Sequence, residues 1–186
     1  RIGRNIVRAI YEYDLGDQFR VVAINDLAPL DTSVHLLKYD STHGRFNADV
    51  RIKDDALHIN DDVVAAFNER EPENLPWAKL KVDVVMECTG FFRTVEGANK
   101  HVAAGAKQVL ISAPGKGDIK TIVYGVNEQS IDASDSIISN ASCSTNCLAH
   151  IAYAIEQSVG IEYGLVNTVH AYTNTQRLLD TAHKDK

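Results

Sequence analysis

Short apolar runs alternate along the chain with segments of helical periodicity, and this pattern constrains the fold more than any other feature. Apolar residues recur at spacings of three and four in residues 3–13, whereas residues 21–24 form a continuous apolar run. The same alternation returns at 81–88, 95–104 and 108–111. Strands that are buried on both faces and separated by helices form parallel sheets with helices on both sides. The sequence therefore predicts an α/β fold with a doubly wound, mostly parallel sheet.

The segments between and after these elements extend the prediction. They comprise a short helix at 31–37, a loop at 39–46, a hairpin at 50–59, strands at 122–126 and 136–139, a long helix at 143–159 and a strand at 161–171. A strand is followed by the long helix near Asn140, and we place the domain boundary there. The division predicts one domain over residues 1–142 and the start of a second over 143–186.

Composition and cysteine spacing exclude several classes of partner. The formal net charge is -6 and no run of Lys or Arg occurs, which argues against nucleic acid or an anionic membrane surface. No apolar run approaches the length of a membrane-spanning helix. Three cysteines without zinc-ligand spacing indicate reduced thiols and no structural metal. We therefore expect a cytoplasmic protein without a metal, membrane or nucleic-acid partner.

Polar residues follow the predicted strands at positions where α/β sheets bind ligands. Asp26, Thr89 and Ser112 each come at or just after the end of an apolar run. Asp26 lies 23 positions after Gly3, and an acidic residue about 20 positions after a glycine-rich turn binds the adenosine ribose of a dinucleotide. Gly3 can be the last glycine of such a turn. The alternative, a helix-capping glycine and a surface aspartate, remains open at this point.

A cysteine stands where small polar residues lead into the long predicted helix. Cys143 falls in the first helical turn, where unpaired N–H groups and the helix dipole favour an anion. This environment lowers a thiol pKa, and the same N–H groups can hold an oxyanion. Cys147 is one turn further on and is predicted to be a buried structural thiol, with a redox-resolving thiol as the alternative. Cys88, inside an apolar strand, is predicted to belong to the core.

A histidine at the end of a predicted strand is a candidate partner for Cys143. A cysteine nucleophile needs a base or cationic partner, and histidine commonly fills this role. His170 is followed by hydroxyl and amide side chains, as in a ligand site. A structural histidine is the alternative, and spacing alone does not decide between the two.

Residues 139–147 closely resemble the active-site signature of the glyceraldehyde-3-phosphate dehydrogenase family, with Ser144 where the family usually has threonine. Further resemblances lie at 1–4, 23–26, 37–44, 69–72, 111–114 and 168–173. The resemblance implies a Rossmann-type NAD-binding domain over 1–142 that lacks its first strand. Residues 143–186 would begin an α+β catalytic domain. The chain would thus be about the first half of a family member, and we expect it to be inactive and poorly stable alone.

The resemblance also implies roles for individual residues. Cys143 would be the nucleophile and His170 its activator. Residues expected to contact the NAD cofactor are Arg1, Ile2, Gly3, Asp26, Arg70, Thr89 and Ser112. Residues expected to contact the substrate are Ser142, Ser144 and Thr173, the last through the substrate phosphate.

The activity implied by the resemblance is the phosphorylating oxidation of glyceraldehyde 3-phosphate to 1,3-bisphosphoglycerate, in glycolysis or gluconeogenesis, by a homotetramer. Cys143 would form a hemithioacetal and then a thioester, which inorganic phosphate would cleave. An erythrose-4-phosphate dehydrogenase is the nearest alternative, and Thr173 favours the glyceraldehyde enzyme. A non-catalytic NAD-binding or moonlighting module is the other, and the presence of Cys143 and His170 argues against it.

Cofactor preference depends on a few positions that depart from the family pattern. Thr181 and Ala182 stand where strictly NAD-dependent members tend to have Leu and Pro, and such small residues would tolerate the 2′-phosphate of NADP. Thr175 stands where the family often has Asp or Asn. Asp26 opposes a 2′-phosphate by charge repulsion. The sequence therefore predicts NAD as the preferred cofactor, with tolerance of NADP.

Overall fold

A computed structural model describes residues 1–173, which form two compact units. Residues 1–75, together with 171–173, form the first unit, and residues 76–170 form the second. Within residues 1–173, no helix has both the length and the apolar character needed to cross a membrane.

The first unit contains a small mixed sheet with two helices. Its elements are α1 (Ile2–Glu12), β1 (Ala23–Asn25), α2 (Leu30–Lys38), β2 (Tyr39–Asp40), β3 (Gly44–Arg45), β4 (Val50–Lys53), β5 (Ala56–Ile59) and β6 (Asp62–Phe67). Strand β1 pairs in parallel with β6, and β6, β5 and β4 continue as an antiparallel meander. Alternate residues of β5, Leu57 and Ile59, are fully buried, as expected for a sheet with one face on the core. Val34 and Leu37 from α2 complete this core.

The second unit is a parallel α/β sheet. Its elements are α3 (Trp77–Leu80), β7 (Val84–Glu87), α4 (Val95–Ala103), β8 (Gln108–Ile111), β9 (Lys120–Thr121), β10 (Ile137–Ser139) and α5 (Cys143–Ser158). The strand order is β7-β8-β10-β9, and every pairing is parallel. Helix α4 connects β7 to β8, and the Thr94 side chain caps it by accepting from the Gly97 N–H. Because parallel strands end at the same edge, the residues after β7, β8 and β10 lie near one another.

The chain has the α/β fold with a mostly parallel sheet that the sequence predicts, and several element bounds agree closely. Helices α1, α2, α4 and α5 match their predictions to within one or two residues, and β4 and β5 form the predicted hairpin. The predicted domain boundary at residue 142 stays a prediction.

Three local predictions were wrong. Residues 39–46 are not a loop, because β2 pairs with β3 around a turn held by the Asp40 carboxylate. Residues 122–126 form a turn instead of a strand, since the Asn127 side chain accepts from the Val123 N–H and donates to the Thr121 carbonyl. No strand occurs at 161–171, because the described part of the chain offers this segment no neighbouring strand to pair with.

Candidate active site

The chain turns sharply from β10 into α5, and this turn places Cys143 at the start of the helix. Ala141 adopts a left-handed conformation, with φ +57°, which a non-glycine residue rarely adopts. Ser142 then caps the helix, with its Oγ accepting from the Thr145 N–H at 2.9 Å. The strand therefore passes into the helix within three residues, and Cys143 is exposed in the first turn.

Ser139 fixes the strand side of this turn. It is completely buried, and its Oγ donates to the Ala113 carbonyl at 2.7 Å. The same oxygen accepts from the N–H groups of Gly115 at 3.0 Å and Ala141 at 3.2 Å. One hydroxyl thus joins the end of β10 to the segment that follows β8. No role of Ser139 was predicted from the sequence, although a single hydroxyl at the end of an apolar strand indicates a hydrogen bond there.

Replacing Ser139 with alanine is expected to destabilise the chain by about 1–3 kcal/mol, because the buried Ala141 N–H and the partly buried Gly115 N–H lose their acceptor. Urea unfolding at neutral pH measures the change. Ser136→Ala is the matched control, since Ser136 precedes the same strand but is exposed, and its effect should stay within about 0.5 kcal/mol. Equal effects from the two substitutions would show that the Ser139 hydroxyl does not hold this turn.

Cys143 and His170 form a hydrogen-bonded pair in the second unit. The Cys143 Sγ lies 3.0 Å from the His170 Nε2. This contact lowers the pKa of the Cys143 thiol, against a smaller opposing effect of burial, and Ser144 lowers the pKa further through its N–H and its hydroxyl. The thiolate is therefore stabilised by the imidazole and the helix start together, which is the environment of a nucleophilic cysteine.

Asn146 supports the turn from within the helix. Its side-chain N–H groups donate to the carbonyls of Asn140 at 2.7 Å and Ser142 at 3.0 Å. Both acceptors precede Cys143, so Asn146 fixes the segment that leads into Cys143. The residue lies inside the signature at 139–147, but the sequence gave no indication of this contact.

The other two cysteines differ from their predicted surroundings. Cys147 was predicted to be buried but is exposed, because no residue of α5 is buried within residues 1–173. Cys88 was predicted to belong to the core and is only partly buried. Burial raises the pKa of the Cys88 thiol, against a hydrogen bond with Ser112 that lowers it. The pKa of the Cys88 thiol is thus raised where that of Cys143 is lowered.

A cavity of about 260 Å³ follows β1 in the first unit. Its lining residues are Ile24, Asp26, Ala28, Pro29, Leu30, Ser33, Ala66, Phe67 and Asn68. The Ser33 Oγ in this wall is buried without a hydrogen-bond partner, and a buried hydroxyl normally has one. Apolar walls, one carboxylate and one unpaired hydroxyl suit an adenosine, whose aromatic ring faces pack on apolar side chains and whose ribose carries hydroxyls. The residues present therefore fit the adenosine end of NAD.

Arg1 is engaged within the protein at the start of α1. Its Nε and Nη2 donate to the two carboxylate oxygens of Asp40 at 3.1 and 2.8 Å, and Nη2 also donates to the Thr42 Oγ1 at 2.8 Å. Burial alone would raise the pKa of Asp40, but these bonds and the N–H groups of Thr42 and His43 hold it well below its usual range. A pyrophosphate at this helix start would be bound by main-chain N–H groups.

Replacing Asp40 with asparagine is expected to destabilise the chain by roughly 1.5–3 kcal/mol at neutral pH, because a charged acceptor is lost from Arg1. A lowered folded-state pKa stabilises fully above the unfolded pKa, about 3.9, and this stabilisation is lost as the pH falls from there through the folded-state value. The difference in stability from the unsubstituted chain should therefore already be smaller at pH 3 than at pH 7. Urea unfolding at pH 7 and pH 3 tests this, with the exposed Asp49→Asn as control. A difference that persists unchanged at low pH would contradict the assignment.

The remaining predicted site residues are divided between the units. Arg70 is exposed after β6 in the first unit, with Ile2 and Gly3 at the start of α1. The second unit holds Thr89 after β7, Ser112 after β8, and Ser142 and Ser144 beside Cys143. Thr173 is grouped with the first unit. The positions that bear on NADP, Thr175, Thr181 and Ala182, lie outside the described residues.

The structure therefore brings the thiol, the imidazole and two serine hydroxyls together in one unit, and it places Asp26 at a cavity in the other. Among residues 1–173, no group of three or more His, Cys, Asp or Glu side chains could hold a metal ion. The chemistry that this arrangement supports is attack by a cysteine thiolate on an electrophilic carbon, with histidine handling the proton.

Two family models match the chain. Residues 1–95 match "Glyceraldehyde 3-phosphate dehydrogenase, NAD binding domain", and residues 142–186 match "Glyceraldehyde 3-phosphate dehydrogenase, C-terminal domain". The plasmid form of glyceraldehyde-3-phosphate dehydrogenase from Cupriavidus necator is 50% identical over 186 residues, covering 100% of this chain and 55% of the relative. The enzyme from Pseudomonas aeruginosa is 49% identical over 185 residues, with the same coverage. The chloroplastic A form from Zea mays is 49% identical over 186 residues, covering 100% of this chain and 46% of the relative. The chain spans about half the length of the curated relatives it matches.

Proposed function

We propose that this chain, which belongs to the glyceraldehyde-3-phosphate dehydrogenase family, carries the NAD site and the nucleophile for phosphorylating oxidation of glyceraldehyde 3-phosphate. The product is 1,3-bisphosphoglycerate. The observation that carries the proposal is the 3.0 Å contact between the Cys143 Sγ and the His170 Nε2 at the start of α5. A structural thiol has no need of an imidazole partner in an exposed helix turn.

The chemistry begins at the sulfur. The Cys143 thiolate attacks the aldehyde carbon, a C–S bond forms, and the carbonyl oxygen takes up the proton held by His170 to give a hemithioacetal. His170 then accepts this hydroxyl proton again as the carbon is oxidised. NAD, when bound, supplies the two-electron hydride acceptor for this oxidation. Inorganic phosphate attacks the resulting thioester, and Cys143 leaves as the thiolate that its lowered pKa favours.

Asp26 and the cavity after β1 would hold the adenosine end of the cofactor. The Asp26 Oδ1 accepts from the Ala28 N–H at 2.9 Å, which fixes the carboxylate in the cavity wall. The fixed negative charge favours a ribose with free hydroxyls and opposes a 2′-phosphate. NAD is therefore the preferred cofactor, with some tolerance of NADP. Arg1, Ile2, Gly3, Arg70, Thr89 and Ser112 would line the rest of the cofactor site.

The substrate would be held beside the nucleophile. Ser142 and Ser144 flank Cys143 on the helix start, where the helix dipole and the main-chain N–H groups favour an oxyanion formed at the carbonyl carbon. Thr173 would bind the substrate phosphate. We further propose a homotetramer in the cytoplasm, on the strength of family membership and the reduced cysteines. Residues 1–142 would form the cofactor domain, and the catalytic domain would begin at 143.

The proposal is tested on the full-length protein with NAD, inorganic phosphate and glyceraldehyde 3-phosphate. We expect NADH formation that requires phosphate and is slower with NADP. Faster turnover of erythrose 4-phosphate would instead support the alternative dehydrogenase. Fast alkylation of Cys143 at neutral pH, one equivalent per chain, separates an enzyme from a non-catalytic module. Slow alkylation, at the rate of free cysteine, would contradict the proposed function.

A further inference from the structure

Three polar side chains form a buried network beneath the turn that follows β7. The Trp77 Nε1 lies 3.1 Å from the His101 Nδ1, and the His101 Nε2 lies 3.2 Å from the Glu87 Oε2. Glu87, His101 and Trp77 are only 3%, 5% and 5% exposed. The reaction proposed above assigns no role to any of them. A buried carboxylate is costly unless it is fully hydrogen-bonded, so the network needs an explanation.

The hydrogen bonds of the network can run in one direction only. An indole Nε1–H donates and cannot accept, so the His101 Nδ1 must carry no proton. The proton of the neutral ring therefore lies on Nε2 and is donated to the Glu87 Oε2. A protonated ring would place two donors face to face at Trp77. The network accordingly holds a neutral His101 of fixed tautomer and an ionised Glu87.

The other carboxylate oxygen of Glu87, Oε1, accepts two hydrogen bonds from Thr89. The Thr89 N–H donates to the Glu87 Oε1 at 2.6 Å, and the Thr89 hydroxyl bonds to the same oxygen. The Thr89 Oγ1 also accepts from the Phe91 N–H at 3.1 Å, so its hydroxyl proton must point to Glu87. Glu87 is thus the common acceptor for His101 and for both donors of Thr89. The position of Thr89, just before Gly90 at φ +76°, depends on this carboxylate.

The charge state of Glu87 agrees with this arrangement. Burial raises the pKa of this carboxyl, but hydrogen bonds from His101 and Thr89 outweigh burial and leave it below its ordinary value. The neighbouring titratable thiol is Cys88, whose pKa burial raises, and the charge of Glu87 adds to that effect. Cys88 therefore stays neutral beside an ionised Glu87.

We propose that Glu87 is a positioning residue for the NAD groove, acting through Thr89, and that Trp77 and His101 set the direction of its hydrogen bonds. The inference rests on the proposed function, in which Thr89 lines that groove. If Glu87 has this positioning role, both of its carboxylate oxygens must accept hydrogen bonds. A side chain of the same shape with one donor should therefore disturb Thr89 even though the packing is unchanged.

Glu87→Gln replaces one carboxylate oxygen with an NH₂ group, which donates and cannot accept. This NH₂ group must then face one of the three donors, which are the His101 Nε2–H, the Thr89 N–H and the Thr89 hydroxyl. His101 can relieve the conflict by moving its proton to Nδ1, but the Trp77 N–H blocks that move. Trp77→Phe removes the block. We expect Glu87→Gln to weaken NAD binding by the full-length protein about tenfold, Trp77→Phe to change it less than about threefold, and the double variant to recover most of the loss.

Two measurements, the tautomer of His101 and the NAD affinities of the variants, distinguish a positioning role of Glu87 from a merely structural one. Nitrogen-15 NMR of the His101 ring should show the Nε2–H tautomer in the unsubstituted protein and in Trp77→Phe, but the Nδ1–H tautomer in the double variant. A merely structural role predicts additive losses, with the double variant binding NAD more weakly than Glu87→Gln alone. That result, or the Nδ1–H tautomer in the unsubstituted protein, would overturn the proposal.

Failure of the inference is distinguishable from failure of the proposed function. If the unsubstituted protein binds NAD and Glu87→Gln binds it equally well, only the positioning role of Glu87 is overturned. If the unsubstituted full-length protein does not bind NAD, the proposed function fails and the NAD role of Glu87 fails with it.

Discussion

Replacing Cys143 with serine is expected to lower kcat for glyceraldehyde 3-phosphate oxidation by at least about a thousandfold in the full-length protein. A serine hydroxyl is not ionised at neutral pH, so neither the His170 contact nor the helix start can supply an equivalent nucleophile. Steady-state kinetics with NAD and phosphate measure the loss. KM should change much less than kcat, because the substituted atom acts on the reacting carbon and contributes little to substrate binding.

Cys147 provides the matched control for this substitution. It lies one turn further along α5 and is also exposed, but it has no role in the proposed reaction. Cys147→Ser should leave kcat within about twofold of the unsubstituted protein. Retention of more than a tenth of the activity in Cys143→Ser, or an equal loss in Cys147→Ser, would refute the assignment of the nucleophile.

Replacing His170 with glutamine is expected to lower kcat by about 10²- to 10⁴-fold, because the proton acceptor of the oxidation step is lost. The same substitution should also change the thiol. His170 makes the largest contribution to the lowered pKa of Cys143, so its removal raises that pKa. Only the thiolate is alkylated. The alkylation rate of the variant should therefore rise at a higher pH than that of the unsubstituted protein, and the two rates should converge at alkaline pH.

His150 offers a control for the histidine substitution. It lies on α5, the same helix as Cys143, but its ring nitrogens contact the carbonyls of Asn146 at 2.7 Å and Tyr124 at 2.8 Å. His150→Gln should leave the pH profile of Cys143 alkylation in place. An unchanged profile in His170→Gln, or the same shift in both variants, would show that His170 does not set the thiol pKa.

The sequence was sufficient to place the nucleophile on its element. Small polar residues before a long apolar segment predict a helix start, and a thiol at a helix start has a lowered pKa for local reasons. The same local reasoning predicts the alternation of strands and helices, since it depends on residues that are close in the sequence.

Features that depend on residues far apart in the sequence could not be predicted from local patterns. His170 lies 27 positions from Cys143, and no local pattern brings an imidazole to that sulfur. The predicted strand at 161–171 was wrong because a strand needs a neighbour that periodicity does not supply. The burial predicted for Cys147 also failed, since an apolar stripe indicates which face can be covered but not what covers it.

Hydrogen-bond networks were the least predictable part of the site. Ser139 connects the ends of two strands, and Glu87 accepts hydrogen bonds from two residues of the second unit, Thr89 and His101. Each contact depends on angles and distances within the folded unit, and hydroxyl and carboxylate side chains occur throughout the sequence without such partners. The residues that hold the active-site turns were therefore found only in the structure.

Trapping the covalent intermediate is the most direct test of Cys143 as the nucleophile. The full-length protein is mixed with glyceraldehyde 3-phosphate and NAD without phosphate, and the modified peptide is identified by mass spectrometry. We expect one acyl group per chain, carried as a thioester by Cys143 and released when phosphate is added. An unmodified Cys143, or an acyl group on Cys147 or Cys88 instead, would contradict it.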